Sequence, residues 1–200
     1  KSYNMSKHLA VVSCPIDTYS GYGARSRDFV KALIKARPDW NVKILSQRWG
    51  NTKFGYLQEH NEKELASRII PKMSAKPKVW MQITVPNEFQ PVGEYNIGVT
   101  AGIETTICHE TWLQGVNRMD LTLTSAKHGK TVFTETNYEM KDEKGQKKGV
   151  LKLEKPVEVL FEGVDLSKYK VITKDSQNLL VKSLDSIPEN YCFLIVGHWL

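Results

Sequence analysis

Apolar residues along this chain fall into two rhythms. Short dense runs at residues 9–15 (LAVVSCP), 42–46, 79–84 and 157–161 (VEVLF) read as strands, as do the alternations Ile97, Val99, Ala101 and Leu121, Leu123, Ser125. Runs of this kind, bounded by turn residues, suit a parallel sheet covered on its faces. Elsewhere apolar residues recur at helical spacing. Phe29, Val30, Leu33 and Ile34 predict a helix over 27–36 that Pro38 ends, and further helices are expected over 62–70, from His109 or Glu110 onward, and over 128–136. Residues 48–60 are polar and irregular, and Pro86 and Pro91 make the stretch after the third strand a loop at the carboxyl edge of the sheet. The alternation of strand and helix predicts an α/β fold, a Rossmann-like domain with a mostly parallel sheet and helices on both faces.

After Asp165 the pattern changes. Residues 167–178 are polar, 179–187 fit a short helix, and the apolar run from Tyr191 to Gly197 reads as the first strand of another α/β domain. The expected organisation is one Rossmann-like domain over 1–175, then a linker and first strand of a truncated second domain over 176–200, the whole an excerpt of a longer protein.

Composition narrows the field. At 200 residues, 40% hydrophobic and 25% charged, the chain has ordinary globular character and is not a disordered one. No apolar run approaches the roughly 20 residues of a membrane-spanning helix. The apolar stretch near the N-terminus reads as a strand, not a signal peptide, so a cytoplasmic protein without a transmembrane segment is expected. Cys14, Cys108 and Cys192 are odd in number and widely spaced, and are expected to be reduced and mostly buried. The neighbours Cys108 and His109 do not make a thiol nucleophile by adjacency, because a catalytic pair is brought together by the fold. The histidines are dispersed and no metal site is expected.

The net charge of +6 raises the question of nucleic acid. Half of that excess lies in residues 141–155, where six lysines face three acids around Gly145 in what reads as a solvated hairpin. Another part lies in 62–78. Neither stretch interleaves aromatic residues with arginines as a base-stacking platform does, so a solvated face is the simpler reading.

Two segments carry candidate chemistry. Ser20, Gly21, Tyr22 and Gly23 lie between a strand and a helix, where backbone N–H groups and the positive helix end can hold a phosphate. A dinucleotide fingerprint needs an acid at the end of the second strand, and this strand ends Ser46, Gln47, Arg48. The other segment, 95–125, joins two strands through Glu104, Glu110 and Trp112, at the edge where open α/β sheets bind ligands. A carboxylate such as Glu104 can accept a hydrogen bond from a sugar hydroxyl or act on it as a base, although a lone Glu after a strand is commonly a solvated loop residue. Trp112 fits either sugar stacking or core packing.

The order SGYGARSRDFVKAL, YNIGVTAGIETTICHETWLQGVNRMDLTLTSAKHGKTVF, VEVLFEGVD and FLIVGHW resembles the amino-terminal half of a GT-B glycosyltransferase, more narrowly the retaining family 4 group. The resemblance spans Val11 to Trp199. It implies two Rossmann-like halves, the first on the acceptor side and the second binding a nucleotide-sugar donor, with no separate cofactor. Gly21, Tyr22, Gly23 and Arg25 are thereby assigned to the donor diphosphate. Glu104 becomes the catalytic candidate, orienting the acceptor, and Thr105, His109 and Trp112 are assigned to acceptor binding. Glu162 and Gly163 match the turn before the interdomain linker. Many relatives place a histidine near the end of the fourth strand, where this chain has Glu104. The implied reaction moves a sugar to an acceptor hydroxyl with retention, through a transition state of oxocarbenium character. The acceptor, whether glycan, lipid, protein or DNA, is unspecified, and the isolated chain is expected to be inactive. The rival readings are an NADP-linked oxidoreductase using Arg48, and a non-catalytic carbohydrate- or nucleic-acid-binding module using the lysine-rich hairpin.

Overall fold

The structure is a computed structural model that describes residues 8–166, 169 and 186–193. The chain divides into two compact units, residues 1–162 and 163–200. In the first unit β1 (His8–Cys14) leads through α1 (Gly21–Ala36) to β2 (Trp40–Ser46). Two short helices, α2 (Tyr56–Glu59) and α3 (Lys63–Ser67), precede β3 (Val79–Ile83), and a 3₁₀ turn at Pro86–Glu88 leads to β4 (Tyr95–Thr100). Then come α4 (Glu110–Arg118), β5 (Leu121–Thr124) and α5 (Lys127–Glu135), a hairpin of β6 (Tyr138–Lys141) and β7 (Lys147–Leu151), and β8 (Val157–Val159).

Six strands form one sheet in the order β2-β1-β3-β4-β5-β8, and every pairing in it is parallel. The expected α/β, Rossmann-like architecture is therefore present. Side chains alternate across each strand, so the core splits by face. Val12, Ile44, Met81 and Val99 share one cluster with Val30 of α1. Val11 and Trp80 turn the other way and meet Phe89. Leu113 and Val116 of α4 pack with Val132 and Phe133 of α5 and Val157 of β8.

Three local differences from the sequence reading have physical reasons. α1 starts at Gly21, six positions before the expected start at Arg27, because the Ser20 hydroxyl accepts from the Gly23 N–H at 2.9 Å and caps a first turn that has no apolar pattern. Ile69 and Ile70, expected as the end of a helix, run extended instead. The Ile44 N–H donates to the Arg68 carbonyl and the Ile70 N–H to the Ile44 carbonyl, both at 2.9 Å, so these β-branched residues satisfy the outer edge of β2. Residues 48–60, expected to be irregular, include the single turn of α2.

The hairpin is as expected. Gly145 supplies its positive φ of 76°, and the Asp142 carboxylate accepts from the N–H groups of Lys144 and Gln146. The second unit is described at Gly163–Leu166, Tyr169 and Ser186–Phe193, all exposed. The helix expected over 179–187 and the strand expected from Tyr191 to Gly197 otherwise fall outside the described residues, and Tyr191–Phe193 carry no strand. Among the described residues no helix is long and apolar enough to cross a membrane.

Candidate functional site

The chain leaves β1 toward β2 on one side and returns as β3 on the other, so the strand order reverses beside β1. In open α/β sheets a crevice forms at the carboxyl ends of the strands at such a point. A cleft of about 260 Å³ lies here. Ile83 of β3 and Val99 and Thr100 of β4 line it from the sheet, and Gly21, Tyr22 and Arg25 line it from α1. Trp49, Ala101 and Glu162 complete it.

The loop that delivers α1 to the cleft is held by buried polar groups. Arg27 is only 6% exposed, and its Nη1 donates to the carbonyls of Ile16 and Thr18, both at 2.9 Å. Its guanidinium also lies 3.5 Å from the centre of the Tyr56 ring. Burial pulls the Arg27 pKa down, but two carbonyl acceptors and an aromatic face keep the cation supported. The Thr18 hydroxyl bonds the Pro15 carbonyl at 2.9 Å and meets the Ser20 hydroxyl at 2.8 Å. Gly23 is required at its position, since a Cβ there would stand 2.3 Å from the Thr18 carbonyl oxygen. Its part in the site is close packing under the loop, whereas Gly21 faces the cleft.

Tyr22 spans the cleft. Its hydroxyl is 3.1 Å from the Thr100 hydroxyl and accepts from the Ala101 N–H at 3.1 Å, which ties α1 to the end of β4. Its ring stacks on Trp49 with centroids 4.1 Å apart. Arg25 donates from Nη2 to the Leu160 carbonyl at 3.1 Å, and its Nε lies 3.5 Å from the Glu162 carboxylate. The first turn of α1 carries no acid, so the cleft combines a positive helix end, a cation and an opposed carboxylate. The N–H groups of Gly21 and Tyr22, in the first helical turn, have no intrahelical acceptor. Such a set can hold an anionic group against backbone N–H groups and a guanidinium.

Four predicted residues thus meet in one cleft, namely Gly21, Tyr22, Arg25 and Glu162. The residues of the second segment stand elsewhere. Glu104 is exposed on the loop after β4. Thr105 donates from its hydroxyl to the Ile107 carbonyl at 2.8 Å, and its own carbonyl meets His128 Nε2 at 3.1 Å. His109 is the N-cap of α4, its Nδ1 accepting from the Thr111 N–H at 3.2 Å. Trp112 packs, partly buried, against the cluster of α4 and α5. None of these four lines the cleft, and Gly163 is exposed in the second unit.

Sequence reasoning missed Trp49 and Arg27. Trp49 lies in a polar stretch with no periodicity, and Arg27 looks like one more charged residue on a helix. The cysteines divide unevenly. Cys14 and Cys108 are buried and Cys192 is exposed, so the thiols are mostly covered, as expected. Burial pushes the Cys14 thiol up to about 12 and raises Cys108 as well, which favours the neutral thiol at both. Among the described residues no group of His, Cys, Asp and Glu is placed to hold a metal ion.

Comparison of the chain with protein-family models, with curated proteins and with solved structures returns no match.

Proposed function

We propose that this chain is the amino-terminal, acceptor-side half of a retaining glycosyltransferase that moves a sugar from a nucleotide-sugar donor to an acceptor hydroxyl. The observation that carries the reading is the meeting of Gly21, Tyr22, Arg25 and Glu162 in one cleft at the switch point of the sheet. The positive end of α1 and the Arg25 guanidinium are suited to stabilise a leaving diphosphate, where negative charge grows during transfer. In the retaining reaction the leaving phosphate takes the acceptor proton, so no protein base is needed. Glu104, on the exposed loop after β4, then orients the acceptor. The donor's nucleotide and sugar belong to a second α/β half, and the chain by itself is inactive.

The test is saturation-transfer NMR with a panel of nucleotide-sugars, with slow donor hydrolysis followed in parallel. It is run on this 200-residue chain and on a form extended by a second α/β half. Hydrolysis of one donor by the extended form alone is the expected result. Silence toward every donor, together with tight and salt-sensitive polyanion binding, overturns the proposal and favours a binding module built on the lysine-rich hairpin.

A further inference from the structure

The face of the sheet turned away from α1 is covered unevenly. Toward β4 it is closed, because the Phe89 ring lies so near Gly98 that a Cβ there would come within 2.4 Å of it. Toward β2, β1 and β3 the cover is thin. No helix is assigned between α3 and β3, where a doubly wound fold ordinarily lays one, and the chain passes as coil with Met73 set against the core. A second cleft, of about 340 Å³, remains at the carboxyl ends of these three strands, and no α-helical residue lines it. That volume falls within the roughly 300–1,000 Å³ of small-molecule sites.

Its floor is one row of side chains across three strands, since Leu45 pairs with Ser13 and Ser13 with Gln82 in the parallel register. The polar groups here are held in place. Gln47 Nε2 donates to the Ser13 hydroxyl at 3.0 Å, Gln82 Nε2 donates to the Glu88 carbonyl at 3.0 Å, and Gln82 Oε1 accepts from the Gln90 N–H at 2.8 Å. The Thr84 hydroxyl donates to the Glu88 carboxylate. Trp80 lines the cleft, and its buried indole N–H has no hydrogen-bond partner among the described residues. Trp49 borders both this cleft and the one beside α1.

Amides, hydroxyls and a carboxylate beside the partly exposed Trp49 ring are the chemistry that takes a polyhydroxylated ring with an apolar face. One guanidinium, Arg48, and one carboxylate, Glu88, leave the lining without a dominant charge. We propose that this second cleft binds a neutral saccharide, and that this saccharide is part of the acceptor, presented across Trp49 from the α1 cleft. Only its role as acceptor rests on the transferase reading; the binding does not.

The experiment is a titration of this chain with glucose, galactose, mannose, N-acetylglucosamine, cellobiose and lactose, followed through the side-chain amide and indole NMR signals. It is repeated for Gln47→Ala, whose side chain is exposed enough to spare the fold, and for Arg25→Ala in the other cleft. At least one sugar is expected to shift the Trp80 indole and the Gln82 amide, with affinity about tenfold weaker in Gln47→Ala and unchanged in Arg25→Ala. Inorganic pyrophosphate is expected to give the reverse pattern. No shift with any sugar well above millimolar concentration, or shifts indifferent to Gln47→Ala, overturns the proposal. Donor hydrolysis without sugar binding here overturns this proposal alone, and sugar binding without hydrolysis overturns the transferase reading alone.

Discussion

Two loops reach the same edge of the sheet and are built in opposite ways. The one between β1 and α1 is fastened from below, with Arg27 binding two of its carbonyls, Thr18 and Ser20 bonding each other, and Gly23 packed against Thr18. The one between β4 and α4 is mostly exposed from Glu104 to Ile107, and Ile107 is 54% accessible. Apart from the contact of the Thr105 carbonyl with His128 Nε2, its ties to the rest of the fold are at its ends. The Ser125 hydroxyl donates to the Ala101 carbonyl at 2.7 Å, and the Tyr138 hydroxyl donates to the Cys108 carbonyl at 2.6 Å. A group that must present backbone N–H groups in a set direction needs the first kind of loop, because the ordering cost is already met before ligand arrives. The second kind suits a segment that takes its final shape against a partner.

The sharpest way to break this contrast is to remove the buried cation. Arg27→Ala is expected to cost about 3 kcal/mol in urea unfolding, since two charge-assisted hydrogen bonds leave carbonyls unpaired. Glu104→Ala in the open loop is expected within about 0.5 kcal/mol of the parent. Equal losses would show the two loops to be alike. Next come the glycines. Gly23→Ala places a Cβ against the Thr18 carbonyl and is expected to cost about 2 kcal/mol, while Gly102→Ala, at φ 98° beside the Thr124 hydroxyl, is expected to cost about 1 kcal/mol. A reversed order in the unfolding midpoints contradicts the assignment of rigidity to the first loop.

Both loops end in an N-cap, which allows a matched comparison. Ser20→Ala is expected to destabilise by about 1 kcal/mol and His109→Ala by about 0.5 kcal/mol, because the second cap is exposed and its bond is longer. The smallest effect concerns opening without global unfolding. Cys14 precedes the first loop and Cys108 closes the second, so maleimide labelling read by mass spectrometry is expected to modify Cys192 first, then Cys108, and Cys14 last. Tyr138→Phe should hasten Cys108 alone. Labelling of Cys14 before Cys108 would place the looser loop beside α1.

Much of the fold was legible because it is written in local pattern. The dense strand runs, the helix beginning at Glu110, the turn at Gly145 and the absence of an acid after β2 all follow from residues a few positions apart. The glycine loop was legible for the same reason, and Gly21, Tyr22 and Arg25 do share a cleft. What local pattern leaves open is the role of a side chain whose contacts are made across the chain. Trp112 sits at helical spacing that cannot distinguish a ligand from a neighbour, and it packs with the α4 and α5 cluster. His109 has the chemistry of an acid, a base or a cap, and the Thr111 N–H in reach makes it a cap here.

The sequence by itself determined the alternation of strand and helix, the parallel sheet that follows from it, and the edge at which polar loops gather, because propensity, periodicity and capping act over a few residues. Only the tertiary structure decided which of those loops is rigid, that Trp49 would stand between two clefts, and that coil would leave a cleft on one face at the carboxyl ends of β1, β2 and β3. Those outcomes depend on which side chains meet across strands, and on whether a buried donor such as Arg27 finds its acceptors.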